Sequence, residues 1–323
     1  MNKLIVSSSP HIHERETISS IMSDVIIARL PAGRMGVYTF GYRAAVVLLT
    51  AVAACVATEF FYEKLTKRRI TIGDMSAVVT GLLLGLNLPV TIPLYMTVIG
   101  SVFAIAVVKQ LYGGLGKNFM NPALAARCFM LIAWAGVMTS FTNPGAGYGA
   151  DAISQATPLA ILKGTSEGAL PSLRDAFFGL KAGTIGETSG VMLLFGGGYL
   201  LVKSVIRWHI PVFYIASFAI LTYIFGTNNT IGSQLYYTAL SVCCGGLFLG
   251  AIFMATDYVT TPTTTKGQII FAVGCGVLTF VIRKFGGYPE GVSFSIILMN
   301  IASPLIDRYT RRRAFGEVST DAR

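Results

Sequence analysis

Residues 75–108 read MSAVVTGLLLGLNLPVTIPLYMTVIGSVFAIAVV, a run without a single charged side chain. One helix needs roughly 20 apolar residues to cross ~30 Å of hydrocarbon, and this run is longer. It is also interrupted, because Asn87-Leu88-Pro89 sets a polar amide and a helix-stopping ring near its middle. We read the run as two elements. Residues 210–256 are uncharged in the same way and divide at Thr227-Asn228-Asn229.

Composition extends this reading to the whole chain. Of 323 residues, 53% are hydrophobic and only 12% charged, and the mean hydropathy is +0.65. A soluble domain carries about 25% charge, so too little is present here to cover a water-facing surface. The expected fold class is an all-α integral membrane protein. Apolar segments fall near 20–38, 43–62, 74–89, 93–112, 118–138, 189–207, 211–226, 233–256, 268–284 and 289–306, which makes about ten transmembrane helices. Ahead of them, Ser7-Ser8-Ser9-Pro10-His11-Ile12-His13 stands where a secretory signal would be apolar. The first span is therefore expected to do the targeting and to stay in place.

The formal charge of +10 does not point to nucleic acid, because the basic residues form no aromatic-interleaved stripe. They gather in short loops beside apolar segments, which is a topology signal. With both termini in the cytoplasm, most of the 25 Lys and Arg lie inside, Lys109 among them as a cytoplasmic loop charge. Arg34, Arg43, Lys163, Arg174, Lys181, Arg283 and Lys284 then lie outside, and the Arg283-Lys284 pair runs against the rule. The chain divides into a cytoplasmic tail (1–19), a first transmembrane half (20–138), an extracytoplasmic loop (139–188), a second half (189–306) and a basic cytoplasmic tail (307–323). Cys55, Cys128, Cys243, Cys244 and Cys275 show no metal-ligand spacing and read as small core side chains. No metal site is expected.

The halves resemble each other. VVKQLYGG (107–114) answers VIRKFGG (281–287), GLLLGLNLP (81–89) answers GAIFMATDYVTTP (250–262), and FMNPALAA (119–126) answers LMNIASPL (298–305). Five spans per half is an odd number, so such a repeat is inverted in the membrane, an arrangement typical of transporters and channels.

Several polar residues stand out against this background. In DAISQATPLAILK (151–163), Pro158 disfavours the α region for Thr157 and leaves its hydroxyl on extended backbone. The plainer reading is a turn that opens a short helix with proline at its first position. Arg127 falls inside the fifth span, where an arginine needs a partner or a watery cavity. Asn121-Pro122, one to two turns earlier, marks a helix start or break. Asp257 precedes Thr260, Thr261, Thr263, Thr264 and Thr265, hard oxygen ligands that suit Na+ or a capped helix end. Asp24, Glu59 and Asp74 lie near span ends and read as caps or interfacial charge.

The stretch 151–157 resembles the flavin-attachment motif of the D subunits of Rnf complexes and the related B subunits of Na+-pumping NADH:quinone reductases. That motif runs approximately Asp-(Gly/Ala)-x-Ser-Gly-Ala-Thr. Asp151, Ala152, Ser154, Ala156 and Thr157 match, while Gln155 stands where glycine is usual. SSPHIHERETISSIMSDVIIARLPA (8–32), NPALAARCF (121–129), MATDYVTTP (254–262) and FGGYPEGVSFSIILMNIASPLID (285–307) resemble further blocks of the family, so the likeness covers nearly the whole chain. The length favours the Rnf branch.

The resemblance implies a fold like that of urea transporters and an FMN joined through its phosphate to the Thr157 oxygen. Asp151, Ser154 and Ala156 complete the attachment motif, and Arg127 and Asn121 are candidates to meet the flavin's polar edge or phosphate. Lys163, Arg174 and Lys181 are candidates to offset its negative charge. Asp257 and Thr260 are candidates for an ion path or for a second, non-covalent riboflavin. The implied function is an electron-transfer subunit of an ion-translocating ferredoxin:NAD+ oxidoreductase in a prokaryotic cell membrane. Its partners are flavin- and iron–sulfur-bearing subunits, a flavin transferase, and Na+ or H+. With no Rossmann glycine fingerprint and no iron–sulfur cysteine spacing, substrate oxidation is expected on other subunits. The competing readings are a non-redox transporter or channel for a small solute, and a scaffold for redox subunits.

Overall fold

The computed structural model describes residues 17–142, 144, 154–155, 157–226, 233–288 and 290–310. The candidates Asp151 and Ala156, the polar triplet Thr227-Asn228-Asn229 and the basic tail from 311 onward lie outside these residues.

The regular secondary structure of the described residues is helical, apart from a two-residue antiparallel ladder. Helix α1 (Ile18–Phe40) opens on a capping box in which the Thr17 hydroxyl and Ser20 each serve the other's backbone N–H. Helix α2 (Tyr42–Leu65) follows after Gly41. Helix α3 (Ser76–Leu86) is short; Asp74 Oδ1 accepts from Ser76 N at 2.8 Å at its start, and the chain leaves the helix at Asn87. Helix α4 (Leu94–Val102) runs on as π-helical turns over Phe103–Gln110. Next come α5 (Pro122–Ala133) and the single turn α6 (Ala135–Met138).

Strands β1 (Phe141–Thr142) and β2 (Ser154–Gln155) pair with Phe141 opposite Gln155 and Thr142 opposite Ser154. Two short helices, α7 (Pro158–Leu162) and α8 (Leu173–Phe178), lead to α9 (Gly190–Val202) and α10 (His209–Phe225). Helix α11 (Gln234–Cys243) gives way to α12 (Leu247–Leu249) and a π-helical stretch, Gly250–Met254. Helices α13 (Thr265–Phe285) and α14 (Val292–Thr310) close the fold.

Helix thus occupies each apolar segment read from the sequence, with two corrections. The segment 233–256 is bent by 60° between Cys243 and Leu247, where Gly245 takes φ 74°. A glycine adopts that left-handed backbone without a Cβ clash, so the bend falls there with no charged residue to announce it. The segment 118–138 likewise breaks, at Trp134. By length and composition, α2 and α13 can each cross a membrane alone, and α11 with the stretch to Met254 makes a third span if the bent pair is taken together. The outer surface suits lipid: Leu49 is 69% exposed and Phe195 71%.

Small residues bring the helices together. Helix α1 packs on α9, α2 on α3 and α4, α10 on α11 and α13, and α5 on α14. A Cβ on Gly81 of α3 would lie 2.7 Å from the Cα of Val52 on α2. One on Gly196 of α9 would run into the Ala28 carbonyl of α1. In lipid, where apolar burial drives little helix association, such close backbone approach is a main source of attraction.

Candidate functional site

Thr157 satisfies both readings of its sequence at once. Its backbone is extended (φ −65°, ψ 148°), and it is the N-cap of α7 with Pro158 in the first helical position. The hydroxyl oxygen accepts from Ala160 N at 3.2 Å. That bond uses a lone pair on Oγ1 and leaves its O–H directed elsewhere.

The side chain borders a cavity with about 720 Å³ of empty space, lined also by Arg127, Lys181, Glu187, Glu290 and Phe294. Arg127 projects from α5 and organises the inner wall. Its Nη1 donates to Asn87 Oδ1 at 2.8 Å, where α3 ends, and to Ser293 Oγ at 3.1 Å on α14. Its Nη2 donates to Glu187 Oε1 at 3.4 Å and to Glu290 Oε2. Glu290 also accepts from Gly246 N at 3.1 Å. Four segments from both halves of the chain therefore meet at one guanidinium.

Two carboxylates against one guanidinium would leave a net negative charge in a buried place. Glu187 sits in the loop ahead of α9. Burial first, and then the neighbouring Glu290 charge, pushes its carboxyl up to about 8. Glu187 therefore holds a proton near neutrality, and Glu290 carries the charge that balances Arg127.

The remaining candidates are distributed differently. Lys181 lines this cavity and donates to the Cys243 carbonyl. Lys163 turns to the carbonyls of Gly286 and Tyr288, and Arg174 is exposed on α8. Asn121 does not join Arg127. It caps α5, accepting from Ala123 N at 3.1 Å and Leu124 N at 3.4 Å.

Asn121 also lines a second cavity, of about 770 Å³, with Arg29, Ser76, Lys109 and Asp257. There Arg29 donates to the Phe253 carbonyl at 3.1 Å. Asp257 accepts from Val259 N at 3.4 Å and from Thr260 Oγ1 at 3.3 Å, so the two share one turn, with Asp257 but not Thr260 in the lining. Asn87 lies between the two spaces: it accepts from Arg127 and donates to the carbonyl of Leu83, which lines the second. Among the described residues no group of His, Cys, Asp and Glu is assembled to hold a metal ion.

Glu59 and Lys109 depart from their sequence reading. Both are buried, and Lys109 Nζ donates to Glu59 Oε1 at 2.6 Å and to Ser76 Oγ at 2.5 Å. Lys109 is not a cytoplasmic loop charge. It stands in the π-helical turns after α4, whose wider winding is a common device at sites with special demands. Asp74, by contrast, caps as read, and Asp24 accepts from Tyr199 Oη at 2.6 Å.

Sequence reasoning missed Asn87, Glu187, Glu290 and Ser293 as partners of Arg127. Glu290 was within reach, as the one acid in an otherwise uncharged stretch (285–306). Glu187 had no such signal, since it lies in a loop and its partners are far away in sequence.

The chain matches the NQR2, RnfD, RnfE family over residues 5–316. It is 50% identical over 315 residues to the D subunit of the Na+-translocating ferredoxin:NAD+ oxidoreductase complex of Acetobacterium woodii, covering 97% of this chain and 95% of that one. To the D subunit of the proton-translocating ferredoxin:NAD+ oxidoreductase complex of Clostridium ljungdahlii it is 47% identical over 327 residues, 98% and 97% of the two chains. To the D subunit of the ion-translocating oxidoreductase complex of Shewanella amazonensis it is 38% identical over 345 residues, 96% and 97% of the two.

Proposed function

Because this chain belongs to the NQR2, RnfD, RnfE family, we propose that it is the flavin-bearing D subunit of an ion-translocating ferredoxin:NAD+ oxidoreductase. It relays electrons within a membrane complex whose other subunits bind the soluble substrates, and the relay is coupled to movement of Na+ or H+. Thr157 carries FMN as a phosphoester on its Oγ1, installed by a flavin transferase and facing the extracytoplasmic side. Asp151, Ser154 and Ala156 form the surrounding attachment motif.

The observation that carries this reading is the place of Thr157 at the edge of the 720 Å³ cavity. Sites for ligands of cofactor size bring a few convergent polar groups to an apolar-lined cleft, and that combination is what supports a flavin here. Phe141 and Phe294 offer apolar contact, while Arg127 and Lys181 offer charge. A bound flavin supplies one- and two-electron redox chemistry. The chain's own part is to tether, orient and set the local charge. Arg127, fixed by four side-chain acceptors, keeps a positive group at the inner wall. Glu187 holds a proton beside it and keeps the set near neutrality.

In this reading the chain crosses the membrane about ten times as two inverted five-helix repeats, with a urea-transporter-like fold and both termini in the cytoplasm. The packing of α1 on α9 and of α5 on α14, like elements of the two halves, supports it. The second cavity, with Asp257 in its lining and Thr260 bonded to that carboxylate, is where a non-covalent riboflavin or the ion path belongs.

The same cavity favours one other reading, a conduit for a small solute without redox chemistry. The two readings separate on a denaturing gel of the chain expressed with its flavin transferase. The relay predicts a yellow fluorescent band that disappears in Thr157→Ala at unchanged protein level. A band that persists in that variant places the tether elsewhere, and a wild-type chain without fluorescence favours the conduit.

A further inference from the structure

Beside the Thr157 cavity, and sharing Leu159 with it, lies a third space of about 570 Å³. Its wall holds Lys163, Arg283 and Lys284, and among the described residues its lining contains no acidic one. Arg283 and Lys284 are the pair whose position runs against the charge asymmetry of the loops.

Their hydrogen bonds leave the charge in place. Arg283 Nη1 and Nη2 donate to the carbonyls of Ser241 at 2.8 Å and Cys244 at 3.3 Å. Lys284 donates to the Phe225 carbonyl at 2.7 Å, and Lys163 to those of Gly286 and Tyr288. All these acceptors are neutral. The carboxylates whose charge reaches Arg283 are those of Glu290 and Glu187, which already serve Arg127.

Two polar atoms in the lining also lack a partner among the described residues: Nε of the buried Arg283 and Oγ1 of Thr222. Buried donors left unmatched are costly, so the wall around these residues has polar capacity that the described residues do not use. Beside Tyr237 and Ser241, the lining has an apolar face of Leu159, Leu162, Phe218 and Phe280. Arg283 lies 4.7 Å over the Phe218 ring, and Phe280 and Leu162 continue the surface. An apolar floor under a cationic rim at a helix end is the chemistry of an anionic amphiphile, with headgroup at the charges and chain along the rings.

We propose that this cavity is a binding site for the phosphodiester headgroup of an anionic phospholipid, with an acyl chain lying on Phe218 and Phe280. Such a lipid would brace α10, α11 and α13 directly behind α7 and the tether.

The test is native mass spectrometry of the full chain in nonionic detergent, titrated with phosphatidylglycerol, with phosphatidylcholine and with inorganic phosphate. The expected result is a retained phosphatidylglycerol adduct, at least about fivefold weaker binding of phosphatidylcholine, and no displacement by millimolar phosphate. Lys163→Gln/Lys284→Gln should lose the adduct, while Lys163→Arg/Lys284→Arg should keep it. The Arg variant keeps the test valid should the Gln variant fail to fold. Equal retention of the two lipids, or displacement by free phosphate, would overturn the lipid assignment. Adduct loss in the folded Arg variant would overturn the role of charge, as would adduct retention in the folded Gln variant. None of these outcomes depends on flavin at Thr157.

Discussion

Arg127 is held by Asn87, Ser293, Glu187 and Glu290, and removing it strands an ionised carboxylate in the interior. Breaking one side of a buried pair typically costs about 3–5 kcal/mol. Arg127→Met should lower stability by that order, read as the midpoint of thermal unfolding in detergent, and Arg127→Met/Glu290→Gln should recover part of it. Glu187 adds a pH dependence. It binds its proton more tightly in the folded chain than in the unfolded one, so the stabilising contribution is complete at low pH. Stability then falls as pH rises from about 4.5 through about 8. Glu187→Gln should flatten that slope, and an unchanged slope would show that another group titrates. At this scale the sequence was legible wherever a residue's own chemistry was costly. An arginine within a span had to have a partner, and Asn121 before Pro122 had to start a helix. It was not legible where the answer was the partner's identity: Glu187 and Asn87 reach Arg127 across 60 and 40 positions of chain. Lys109 misled for the same reason, because the π-helical turns that bury it leave no local signature.

Among the elements, the contact of α3 with α2 rests on Gly81, where a Cβ would meet the α2 backbone at 2.7 Å from Val52 Cα and 2.9 Å from the Ala51 carbonyl oxygen. Backbone cannot yield as a flexible side chain does, so Gly81→Val should cost about 1–3 kcal/mol as overpacking. Gly198→Ala on α9, where nothing lies within 4 Å, should be close to neutral in the same unfolding measurement. Equal effects of the two would remove close approach as the reason for the glycine. Helices were the most readable level, since a long apolar run has few other options for its backbone in lipid. Their breaks were readable only where polar residues marked them, as at Asn87-Leu88-Pro89. The 60° bend after Cys243 is made by Gly245 in an apolar setting, and hydropathy is blind to it.

For the molecule as a whole, the two halves join through α1 with α9 and α5 with α14, and Arg127 ties together segments from both. The family was open to sequence reading. The two cavities, and the separation of Arg127 from Asn121 between them, needed the packed fold. The central claim is a covalent flavin on Thr157, and intact-protein mass spectrometry of the chain from its native membrane complex tests it most directly. The account predicts a mass higher than the polypeptide's by one FMN less one water, mapping to the peptide that contains Thr157. An unmodified polypeptide mass would contradict it.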